Sequence, residues 1–152
     1  MARVIKKPGY IFRIPLNNGK HAYAQWLTDN TARIFKAAYK SDTEIDQITE
    51  LPVAFRVYVY RDTPGRYGWV KVGKAPIPND FSTPQSYAKK DIGTGQLSIC
   101  DMINDKEIPA TEDEVRGLET LAVWAHPHII ERLEAELDGR ESEYLKSISV
   151  LP

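Results

Sequence analysis

Pro8-Gly9-Tyr10-Ile11-Phe12-Arg13-Ile14-Pro15-Leu16-Asn17-Asn18-Gly19-Lys20-His21-Ala22-Tyr23-Ala24-Gln25-Trp26 is the stretch from which the rest of the chain takes its meaning. Side chains of an extended strand alternate between its faces, so Tyr10, Phe12, Ile14 and Leu16 share one side. Asn17-Asn18-Gly19-Lys20 supplies residues that tolerate a left-handed backbone, as a tight turn demands. A second strand holding Tyr23 and Trp26 follows, and together they read as a β-hairpin. The signature is structural and carries no catalytic chemistry.

Outward from the hairpin, Thr28-Asp29-Asn30 marks another turn, and residues 31–39 read as a third strand containing Ile34 and Phe35. Ser41-Asp42-Thr43-Glu44 ahead of Ile45 and Ile48 predicts a short helical turn or loop with a Ser or Asp cap. Residues 51–60 give the clearest buried strand. Val53, Phe55, Val57 and Val59 fall on one face and Ala54, Arg56, Tyr58 and Tyr60 on the other. Residues 62–68 are a turn-rich break before a short strand at 69–73. Pro76, Pro78 and Pro84 each remove a backbone donor, so 74–95 reads as a partly irregular excursion with one or two edge pieces. A late strand is expected at 96–100.

The last third changes period. Thr111-Glu112-Asp113-Glu114 is a capping box whose acids complement the helix dipole. Val115, Leu118, Leu121 and Ala122 then predict a helix from about Glu112 to about Trp124, with Trp124 a core anchor rather than an interface contact. Pro127 opens a second helix with Ile129, Ile130, Leu133 and Leu137 as its apolar stripe and Asp138-Gly139 as its stop. Residues 144–151 are expected to return to the sheet. The architecture predicted is α+β: a strongly bent, mostly antiparallel sheet or partly open barrel, with a C-terminal helical pair.

At 152 residues the chain suits one domain with a core of its own. The single Cys100 excludes an intramolecular disulfide and fits a reducing compartment. Residues 1–8 lack the apolar run of a signal peptide, and no apolar run approaches the ~20 residues of a membrane span. A cytoplasmic protein is expected. The net charge of −1 hides an asymmetry. Residues 1–100 carry 15 Lys/Arg against 8 Asp/Glu, whereas 101–152 carry 5 against 13. Such a split marks one part of the fold as acidic and able to steer a basic partner.

Catalytic motifs are sparse. His126-Pro127-His128 is the one pair that suggests a metal, but its spacing does not put both rings on one helix face, and His21 is the only other imidazole. Cys100 has no local activating motif. There is no phosphate-binding loop, and Gly93-Thr94-Gly95 is too short for a dinucleotide fingerprint. No metal, cofactor or catalytic residue is expected. An alternative reading is nucleic-acid binding by a small β-sheet protein, where Arg56, Arg61, Arg66, Lys71 and Lys74 interleave with Tyr58, Tyr60, Tyr67 and Trp69. The pI near 6.3 lacks the usual basic excess.

The opening G-Y-I-F-R-I-P-L-N-N-G-K-H-A-Y-A-Q resembles the start of the immunity protein 26 family of bacterial polymorphic-toxin and contact-dependent growth inhibition systems. That family begins with a G-D-[IV]-F-x-I-P-L-x-[DN]-G-x-[YF]-A-[YF]-G-like hairpin. Tyr10 stands where an acid is common, and Ala24 where a glycine is common. The later V-R-G-L-E-T-L-A-V-W, with H-I-I-E-R-L from His128 to Leu133, is similar to the family's closing helical segment. The resemblance implies a non-enzymatic antidote that binds the C-terminal domain of a cognate toxin and blocks its active site or target access. Toxin domains of such systems are often nucleases, whose basic clefts suit an acidic partner. Asp101, Asp105, Glu107, Glu112, Asp113, Glu114 and Glu119 are therefore the candidate toxin-binding residues, with helix capping the competing role for Glu112 and Glu114.

Overall fold

The computed structural model describes residues 3–152. Strands β1 (Tyr10–Pro15) and β2 (His21–Trp26) form the expected hairpin. The Leu16 amide donates to the Lys20 carbonyl at 2.9 Å, and Gly19 takes the left-handed φ of +77° that the turn requires. β3 (Thr31–Phe35), the short helix α1 (Ile45–Thr49), β4 (Val53–Val59), the single turn α2 (Thr63–Arg66) and the edge strand β5 (Val70–Lys74) follow. A loop with a 3-10 turn at Asn79–Phe81 leads to β6 (Ser86–Lys90), β7 (Leu97–Asp101) and β8 (Lys106–Pro109). The chain then passes through α3 (Glu112–Val115), β9 (Glu119–Thr120) and β10 (Val123–Trp124) to helices α4 (His126–Asp138) and α5 (Glu143–Ile148).

The fold is α+β with sheet dominating. One sheet has the order β10-β4-β3-β2-β1-β5 and the other β8-β7-β6-β9; neither closes into a barrel. Pairing is antiparallel except where β10 joins β4 and β9 joins β6. The six-stranded sheet is buried on both faces around its hairpin. Phe12, Ile14 and Leu16 lie on one face with Trp26, Ile34, Phe55, Val57 and Val59, under Ile129, Ile130 and Leu133 of α4. Full burial of each such aliphatic side chain stabilises by about 1.5–3 kcal/mol. Ile11, Tyr23 and Phe35 on the opposite face pack with Ile48 of α1. That second face also carries a polar row. Ile11, Gln25, Arg33 and Arg56 are in register across four strands. The Gln25 amide donates to the Ala75 carbonyl at 2.8 Å, and its oxygen accepts from Arg33 Nε at 2.8 Å. The Arg33 guanidinium lies 4.8 Å from the Phe35 ring and 5.1 Å from that of Phe81. Arg56 pairs with buried Asp29 at 3.0 Å.

Four expectations are corrected. The helix expected over 112–124 stops at Val115, because Arg116 is extended and Gly117 turns left-handed at φ +86°. Beyond it the chain becomes the short strands β9 and β10, so Trp124 is fully buried, as expected of a core anchor, but from a strand. The strand expected over 144–151 is helix α5, where Ser142 Oγ accepts from the Leu145 amide at 3.2 Å. Tyr144, Leu145 and Ile148 have helical spacing and pack against the main core. The helical pair is thus α4 with α5. Third, the regular piece inside the partly irregular 74–95, β6, is not an edge strand: it is paired on both sides. The third strand ends at Phe35, and Tyr39 meets the sheet only through a bridge to His21.

Candidate functional site

The acidic candidates divide by what holds them. Asp101 ends β7 and organises the turn into β8. Its carboxylate accepts from the Ile103 and Asn104 amides at 2.9 and 3.3 Å and from the Asn104 side chain at 2.7 Å. The Asn104 side-chain bond leads the effects that hold this carboxyl below the ordinary aspartate range. Asp105 occupies the left-handed position of the turn at φ +51°. Glu107 pairs with Lys89 at 2.8 Å across the exposed surface, and Asp113 meets Arg116 at 3.5 Å. The capping box forms as expected: Thr111 Oγ accepts from the Glu114 amide at 3.3 Å, and the Glu114 carboxylate accepts from the Thr111 amide at 3.0 Å. Residues 102–109 and 111–114 are exposed without interruption. Six of the seven acids therefore lie on one stretch of hairpin and helical turn.

Glu119 does not join them. Both its oxygens accept from Arg132 of α4, at 2.7 and 2.8 Å, and the Arg132 side chain is buried above the Phe55 ring at 4.2 Å. Its carboxylate ties β9 to α4 instead of facing outward. No local sequence signal marks this pair, since its partners lie on separate elements and the contact exists only once both pack.

His126 and His128 both make packing contacts. His126 is buried, stacks on Tyr67 with centroids 4.7 Å apart, and accepts at Nδ1 from Trp69 Nε1 at 3.0 Å. His128 stacks on Tyr144 at 3.7 Å and so links α4 to α5. Among the described residues no group of three or more His, Cys, Asp or Glu is placed to hold a metal ion. An indole nitrogen only donates, so protonating His126 Nδ1 would set two donors against each other. Burial pushes its pKa below the ordinary 6.5. A depressed folded-state pKa means that the stabilisation is complete above the unfolded value and is lost as pH falls through the folded one. Stability measured by urea unfolding is therefore expected to decline below about pH 6.5, with a shallower decline in His126→Asn, whose side-chain oxygen can still accept from Trp69.

Cys100 is buried, and burial raises its thiol pKa, the opposite of nucleophilic activation. The basic–aromatic cluster also separates. Trp69 is buried, Tyr67 is stacked on His126 with Arg66 over its ring, and Arg56 bonds Asp29, while Tyr60 is exposed. A shallow cavity of about 840 Å³ does collect Arg3, Lys6 and Arg61 beside Asp62.

A family model described as Immunity protein 26 matches residues 7–96, more than half of the chain. The match takes in the opening hairpin and ends before β7, so the acidic hairpin and helices α3 to α5 lie beyond it. No curated protein and no solved structure matches the chain.

Proposed function

The chain belongs to the immunity protein 26 family, and from that premise we propose that it is an intracellular antidote that binds a cognate toxin domain and blocks its active site or target access, with no turnover of its own. The observation that carries the choice of surface is the continuous exposure of residues 102–109 and 111–114. Asp105, Glu107, Glu112 and Asp113 stand on that surface, with Asp101 and Glu114 shaping it from within the turn and the cap. A basic toxin surface, such as a nuclease cleft, is the complementary partner: opposite charge speeds encounter and rejects wrong partners. Glu119, held by Arg132, is left out of the contact set.

The test is protection from the toxin encoded next to this gene, with binding kinetics measured on an inactivated form of its C-terminal domain. Glu107→Lys, Glu112→Lys and Asp113→Lys together are expected to slow association at low salt at least about tenfold and to flatten its salt dependence. Unchanged affinity and salt dependence would remove the acidic surface from the interface. Wild-type protein that neither binds nor protects would overturn the antidote reading itself.

A further inference from the structure

We propose that the toxin domain seats an apolar recess with a basic rim over the β7–β8 hairpin, with Met102, Ile103 and Ile108 as the anchoring contacts. This rests on the reading that the protein acts by binding a toxin. Met102 is 47% exposed, Ile103 55% and Ile108 58%, all within seven residues of chain. The remaining exposed apolar side chains are spread over other parts of the fold, such as Ile5, Tyr60 and Leu137, with only Val70 and Val72 sharing an element. Singly exposed apolar residues are ordinary, whereas a group presented together marks a contact surface.

The hairpin is also preorganised. Asp101 bonds the amides of Ile103 and Asn104, so the turn holds its shape before any partner arrives. Ile108 is fixed opposite Ile99 by the β7–β8 ladder. Little ordering entropy remains to be lost when these side chains are covered.

Charge selects the occupant. Between residues 101 and 114 there are six acids and one cation, Lys106. A second copy of this chain meeting it hairpin to hairpin would set acid against acid, and a nucleic acid or an anionic membrane would be repelled in the same way. A basic protein surface is attracted.

Backbone geometry narrows the mode of contact. The Ala110 amide donates to the Leu97 carbonyl, which in an antiparallel ladder turns the backbone of Glu107 and Pro109 outward. Pro109 has no amide proton to offer there, and Lys106 and Glu107 add charge to the edge. Both are devices that discourage strand addition. Recognition is therefore through side chains and not through a shared sheet.

The experiment measures affinity for the inactivated C-terminal domain of the toxin encoded beside the gene, by calorimetry, with thermal melts to confirm folding. Met102→Ser/Ile103→Ser and, separately, Ile108→Ser are expected to bind about 30-fold or more weakly with melting unchanged. Val70→Ser/Val72→Ser on β5 is expected to stay within about threefold, and Pro109→Ala likewise. Hairpin variants that match a tightly binding wild type would overturn this inference and leave the antidote reading intact. Marked tightening by Pro109→Ala would overturn the side-chain mode. Wild type that fails to bind would overturn the underlying reading and this inference with it.

Discussion

Glu119→Ala is expected to lower the unfolding free energy by about 3–5 kcal/mol, read from urea midpoints at constant slope. The effect comes less from the lost bonds than from what is left behind. Arg132 is only 7% exposed along its side chain, its guanidinium lies 4.2 Å from Phe55 and 5.1 Å from Trp124, and its Nε has no partner. The two Glu119 oxygens are the only carboxylate it meets within ion-pair distance among the described residues. A cation stranded in that setting is much costlier than an intact pair is beneficial. The double substitution Glu119→Leu/Arg132→Met removes both charges and is expected to recover most of the loss. A single variant within 1 kcal/mol of wild type, on the order of a surface pair, would mean that the pair is effectively solvated. Failure of Glu119→Ala to protect cells, repaired by the double variant, would then report folding and not toxin contact.

Trp124→Ala is expected to cost about 3–5 kcal/mol as well, for a different reason. The ring is 1% exposed, stacks on Phe55 with centroids 6.2 Å apart, and takes the edge of Tyr144 at 4.9 Å. It joins the main sheet, through β10, to both C-terminal helices. Truncation opens a cavity that neither the sheet nor α4 can fill without moving. Trp124→Phe keeps most of the volume and is expected to lose less than half as much. Because Arg132 touches Trp124 and bonds Glu119, the two losses share a neighbour. Their double mutant should fall short of additivity. Full additivity in thermal and urea unfolding would show that the two contacts are independent.

What the sequence reveals of this fold follows the range of the forces involved. The hairpin, β4 and the stop at Gly139 rest on alternation, turn chemistry and a left-handed cap, all local, and they appear where expected, except that a register shift at Ile34/Phe35 puts Val53 on the second face with Phe35. The capping box at Thr111 is equally local and forms in full. Its helix ends within a turn, because Gly117 interrupts it and the following residues gain ladder bonds to β6 and β4. Apolar positions at 115, 118, 121 and 122 suit a helix face as well as a chain threading between two sheets, so periodicity alone misleads there. Residues 144–151 show the converse, with Ser142 as the overlooked cap. On the functional side, the acidic stretch is visible in composition, and its exposure is a property of the fold. That Asp101 builds a turn and Glu119 holds a buried arginine depends on partners found only in three dimensions.

The polar row on the second face of the main sheet bears on how this sheet finds its alignment. Sliding β3 by one residue against β2 would turn Arg33 toward Trp26, Phe55 and the helices and leave Gln25 without its guanidinium partner. A guanidinium would then sit in hydrocarbon without partners, a state several kcal/mol above the native one. Only the native alignment lets Gln25 reach both Arg33 and the Ala75 carbonyl. The row thus works as a key cut for a single setting of the strands, and in the same motion it draws the proline-rich loop down onto the sheet.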